Sequence, residues 1–106
     1  MGAGIALSCL QAGLKVSLLE QDKDTADKGF DRVYSLINGA VKRAKITHEN
    51  ADRFLNNLQF GADYNLAKNA DIAIEAVFED LGVKQAVFQR LADVMRPDAI
   101  LATNTS

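Results

Sequence analysis

Three groups of residues carry side chains that could do chemistry, and each follows an apolar run. The first is Glu20, which ends the run Lys15-Val16-Ser17-Leu18-Leu19. A carboxylate at the end of a buried strand can accept hydrogen bonds from the hydroxyls of a ribose. Gly2 lies eighteen positions upstream (20 minus 2), close to the ~20-residue interval between a phosphate-binding glycine loop and such an acid. If Gly2 and Gly4 opened a G-x-G-x-x-G loop, its third glycine would fall on Leu7, so that register fails. Gly2 instead suits the third glycine, which lets a helix pack closely on a sheet; the competing reading is a glycine-rich start to any helix. The charge on Glu20 would repel a 2′-phosphate, which favours NAD over NADP. Gln21 and Asp22 follow and could assist at the ribose. Asp22 could equally cap the next helix.

The second group is Glu75-Ala76-Val77-Phe78-Glu79-Asp80-Leu81-Gly82-Val83-Lys84. Glu75 is an acid inside an apolar strand, and burying it is costly unless it is paired or lies at the carboxyl edge of the sheet. Ligands of open α/β sheets bind at that edge, and Glu79 and Lys84 would flank such a crevice. By generic chemistry alone both are ordinary helix-start charges, and Glu79 suits a helix N-terminus electrostatically. The third group, Asn104-Thr105-Ser106, follows the run Ala99-Ile100-Leu101-Ala102. It offers amide and hydroxyl donors to a ligand, or forms a plain turn. His48 is the single histidine; it follows the capping residue Thr47, and reads as a surface helix start and not as a general base. Cys9 sits among apolar residues and reads as packing.

The elements that must position these groups alternate in type. Residues 1–12 read as a short helix ending at Gly13, 15–20 as a strand, and 25–45 as a helix. A short helix capped by Thr47, a short strand at 58–60, a strand at 72–77, a strong helix at 82–95 stopped by Pro97, and a strand at 99–102 complete the chain. Strands separated by helices imply a parallel, doubly wound α/β sheet. Such a fold opens with a strand at the sheet centre, and here a helix comes first. The expectation is a sheet lacking its first strand, with two flanking strand groups left apart and a chain that aggregates or folds poorly.

At 106 residues the chain makes one small domain,. Hydrophobic residues are 48% and charged residues 25%, an ordinary globular profile,. A net charge of −2, with basic and acidic residues interleaved, makes no electrostatic case for a nucleic-acid partner,. One cysteine excludes a disulfide framework or a multi-cysteine metal site,. No apolar run approaches the ~20 residues of a membrane span, and no signal-peptide pattern opens the chain. The cytoplasm is therefore the expected compartment.

Met1-Gly2-Ala3-Gly4-Ile5-Ala6, Glu75-Ala76-Val77-Phe78-Glu79-Asp80, Val83-Lys84-Gln85 and Ile100-Leu101-Ala102-Thr103-Asn104-Thr105-Ser106 together resemble the NAD-binding domain of 3-hydroxyacyl-CoA dehydrogenases. The resemblance spans nearly the whole chain and is similar to the version built into bifunctional fatty-acid oxidation proteins. It implies a Rossmann-like α/β fold and oxidation of an (S)-3-hydroxyacyl-CoA to the 3-oxoacyl-CoA with hydride transfer to NAD. Carried over by position, Glu20 would hold the adenine ribose with Gln21 beside it. Glu79 and Lys84 would face the nicotinamide half of the cofactor and the CoA side of the crevice. Asn104 would orient the nicotinamide and reacting centre, and Ser106 would bond near the substrate oxygen. The family's catalytic histidine and glutamate fall beyond Ser106, as does its helical C-terminal domain. A part of a β-oxidation enzyme that is inactive alone is thus expected, within a homodimer or a multienzyme complex. Two other readings stand beside it: a non-catalytic dinucleotide-binding module, or a dehydrogenase of 3-hydroxy acids that does not use CoA.

Overall fold

The structure, a computed structural model, describes residues 2–75 and 81–103. Helix α1 (Gly2–Gln11) is followed by strand β1 (Val16–Leu19), helices α2 (Lys23–Lys42) and α3 (His48–Asn56), and strand β2 (Leu58–Gly61). A 3-10 turn at Tyr64–Ala67 leads to β3 (Ile72–Glu75), α4 (Leu81–Val94) and β4 (Ile100–Thr103). These elements follow the expected order. Gly13 adopts a left-handed φ of 87° after α1, as a helix-ending glycine does,. Thr47 caps α3 by accepting from the Asn50 N–H at 3.1 Å.

The described strands form one parallel four-stranded sheet in the order β2-β1-β3-β4. All residues of β1 and β3 are buried, which is why neither run alternates apolar with exposed polar residues; Ser17 and Glu75 are their buried polar members. Val16, Leu18, Ile72 and Ile74 face one layer, built from Ala6 and Leu10 of α1, Val33 and Ile37 of α2, and Phe54 of α3. Leu19 and Ala73 face the other, built from Val87 and Leu91 of α4 with Met95 and Ala67. The chain is thus a Rossmann-like three-layer α/β unit.

One expectation is corrected. The two strand groups do not stand apart. Strands β1 and β3 pair directly, Val16 opposite Ile72 and Leu19 opposite Glu75. Backbone N–H and C=O groups of strands buried on both faces must find partners, and each strand supplies them to the other. The grounds for expecting a sheet split at its centre are therefore removed. The edges are β2 and β4, and Ile100 on β4 is 56% exposed.

Asp71 ties the amino edge of this sheet together. Its carboxylate accepts from the Lys15 N–H at 2.8 Å and from the Arg96 guanidinium, while Arg96 also donates to the Ala70 carbonyl at 3.2 Å. The Lys15 N–H, and then Arg96, hold the Asp71 carboxyl below the usual carboxylate range. A lowered carboxyl contributes stability above its ordinary value of 3.8 that is lost as pH falls through the folded value,. Asp71→Ala should lower unfolding free energy by about 1 kcal/mol, the scale of a solvent-accessible hydrogen bond. Urea titrations should show that gap at neutral pH and its closure in acid.

Candidate functional site

Among the described residues, Glu20, Glu75 and Lys84 come together at the carboxyl edge of β1 and β3. Glu20 lies one residue beyond β1, anchored where its N–H donates to the Gly61 carbonyl at 3.0 Å. Strand alternation points it to the same face as Val16 and Leu18, toward α2. Gly29 of α2 makes that approach possible. A Cβ there would sit 3.0 Å from Leu18 Cδ2 and 3.5 Å from Glu20 Oε1, so the helix and the carboxylate share space that a side chain would take. Gly29 belongs to the buried stripe Ala26, Gly29, Val33, Ile37 and Ala40. The sequence shows it as a weak point in the helix; the stripe is the signal that it is a packing position.

Glu20 is only 7% exposed. Burial pushes its carboxyl up from the ordinary value, Arg32 partly offsets this, and the charges of Asp22 and Glu75 add to the rise. Among the described residues, none donates a hydrogen bond to the Glu20 carboxylate. A carboxylate acceptor held in so sheltered a place fits a ligand that brings hydroxyl donors. Gln21 is exposed beside it. Asp22 takes the other role open to it: it caps α2, accepting from the Thr25 N–H and Oγ1, each at 2.8 Å.

Glu75 ends β3 with no exposed surface. It shares strand parity with Ala73 and so faces α4, where Lys84 Nζ lies 2.9 Å from its Oε1. Among the described residues, Lys84 is a partner of the kind a buried acid requires,. Glu20 and Glu75 flank one sheet edge from opposite faces of adjacent strands, a spacing of about 4.8 Å. Gly2 is the first residue of α1, whose Ala6 and Leu10 pack in the core. Glu79, Asn104 and Ser106 fall outside the described residues. His48 is exposed at the start of α3, away from this edge, and Cys9 of α1 packs against the core. Among the described residues no group of His, Cys, Asp and Glu could hold a metal ion, and no helix is long and apolar enough to cross a membrane.

A raised carboxyl destabilises the folded state once ionised. Its contribution is present below the ordinary value of 4.5 and lost as pH rises through the folded value,. Glu20→Gln should therefore raise the Tm at neutral pH, and the difference should vanish in acid. A variant that is less stable than the parent at neutral pH would contradict this account of Glu20.

The comparisons with known proteins point the same way as the geometry. The model of the family "3-hydroxyacyl-CoA dehydrogenase, NAD binding domain" matches residues 1–106. A 3-hydroxybutyryl-CoA dehydrogenase of Mycobacterium tuberculosis is 38% identical over the whole chain, which covers 37% of that protein. A peroxisomal fatty acid beta-oxidation multifunctional protein of Oryza sativa is 36% identical, again over the whole chain but only 15% of the relative. The crystal structure of a 3-hydroxybutyryl-CoA dehydrogenase from Escherichia coli superposes with a TM-score of 0.79 at 38% identity, covering 100% of this chain and 22% of that one. The chain thus spans between 15% and 37% of the length of these relatives. It belongs to the 3-hydroxyacyl-CoA dehydrogenase NAD-binding domain family.

Proposed function

We propose that this family member is the NAD-binding part of a 3-hydroxyacyl-CoA dehydrogenase of β-oxidation, with the carboxyl edge of β1 and β3 as its cofactor site. The observation that carries the reading is Glu20, sheltered at the end of β1 with no donor among the described residues. In the bound complex it accepts from the adenosine ribose hydroxyls, with Gln21 beside it. Glu79 and Lys84 contact the nicotinamide half. Asn104 orients the nicotinamide and Ser106 bonds near the substrate oxygen. Gly2 lets α1 approach the sheet. NAD, when bound, supplies the hydride acceptor for oxidation of the 3-hydroxyl of an (S)-3-hydroxyacyl-CoA. The residues of this chain hold and orient that acceptor, and the base that takes the hydroxyl proton is proposed to lie beyond Ser106.

The relatives include proteins named as dehydrogenases and as multifunctional or bifunctional enzymes, which supports a place within a multienzyme chain; a homodimer is the proposed state of a separate dehydrogenase. The cytoplasm is the proposed compartment. Relatives named as peroxisomal supply the alternative, and cell fractionation distinguishes the two.

Fluorescence titration tests the cofactor reading. NADH should bind at least roughly tenfold tighter than NADPH, because a 2′-phosphate meets the Glu20 carboxylate. Glu20→Ala should weaken NADH by about tenfold, the loss of charge-assisted hydrogen bonds, and narrow the preference. Equal affinity for the two cofactors in the parent chain would rule the site out. The chain alone should not oxidise NADH with acetoacetyl-CoA; turnover would place the proton-transfer groups within it.

A further inference from the structure

The pair formed by Glu75 and Lys84 is poorly explained as a stabilising device. An ion pair taken into a core seldom stabilises more than apolar residues of the same volume. Glu75 stands in the central sheet between Leu19 of β1 and Thr103 of β4, where an apolar side chain would pack at no electrostatic cost. Lys84 is also set against the helix it belongs to. It lies in the first turn of α4, where the helix dipole disfavours a cation. A helix offers a better place for a lysine in its last turn, and the last turn of α4 holds no basic residue. Both departures concern one contact at the ligand edge. The lysine side chain keeps 13% of its surface while the glutamate keeps none.

We propose that Glu75 is a positioning residue whose buried carboxylate holds the Lys84 ammonium at the carboxyl edge, ready to donate to bound cofactor. This rests on the cofactor reading given above. An ammonium carries three donors, so it can keep Glu75 and still meet a ligand oxygen. A lysine has a flexible four-carbon stem, and an anchor inside the sheet removes much of the freedom it would otherwise lose on binding. The carboxylate also offsets the cationic charge at the positive end of α4. Lys84 thereby acts as a directed hydrogen-bond donor more than as a diffuse attractor of anions.

Lys84→Met, Glu75→Gln and the double variant, made in the full chain, separate these roles. Lys84→Met should weaken NADH by about tenfold, the scale of one hydrogen bond to a charged donor. Glu75→Gln should weaken it by a similar factor although every group that touches cofactor is intact. The double variant should be no weaker than Lys84→Met alone, the non-additivity of two residues acting through one contact. A Glu75→Gln chain with lowered Tm and parental NADH affinity would show a structural role only and overturn the proposal. Unchanged affinity in Lys84→Met would overturn it together with the assignment of Lys84, whereas the Glu20→Ala titration tests the cofactor site independently. If Glu75→Gln does not fold, the parent chain still decides. With 13Cε-labelled lysine, the Lys84 resonance should shift on saturation with NADH, and a resonance that stays in place would overturn the proposal.

Discussion

Parallel pairing of β1 with β3 is the constraint on which the other elements depend. Both strands are covered on each face by helices, so neither can satisfy its backbone from water. Their direct pairing sets the register of the whole sheet, since β2 adds to the free side of β1 and β4 to the free side of β3. It also makes the two strands end at the same level. The level matters for function. Leu19 lies opposite Glu75, so Glu20 and Glu75 emerge together, one strand apart, at the edge where sheets of this kind bind ligands.

The two ends of the sheet use charge differently. At the amino edge, Asp71 meets a backbone N–H and the Arg96 guanidinium, and both side chains remain partly open to solvent. That arrangement joins the start of β1 to the end of α4 and asks for no ligand. At the carboxyl edge the acids are buried. Glu75 has Lys84, and Glu20 has the field of Arg32 with no donor in contact among the described residues. Gly29 keeps that second acid sheltered by letting α2 lie close over Leu18 and Glu20. In the proposed cofactor site these become a sheltered acceptor and a directed donor on opposite faces of one edge, for an extended ligand with hydroxyls at one end.

The family resemblance and the geometry support each other at different levels. Similarity over the whole chain to dehydrogenases fixes the family. It does not by itself say why Glu75 is charged or why α2 carries a glycine under Leu18. Packing answers the second question and the position of Lys84 the first. The contributions of Glu79, Asn104 and Ser106 rest on sequence alone, because they lie outside the described residues.

Much of the architecture was legible in the linear sequence, because it follows from local periodicity. Apolar runs at 15–20 and 72–77, the caps Thr47 and Asp22, the stop after Met95 and the glycine after α1 each report on a few neighbouring residues. The acid at position 20 was legible too, since a strand end and its chemistry are local facts. Three features were decided only by tertiary structure. The direct pairing of β1 with β3 joins segments more than fifty residues apart, and no local pattern states which strand a buried strand will choose. The role of Gly29 depends on how closely one helix approaches one strand. The partnership of Glu75 and Lys84 needs a strand and the following helix to be oriented before two charges that read as separate crevice residues become a pair. Periodicity shows which face of an element is buried; what it is buried against is settled by packing, which brings distant parts of the chain into contact.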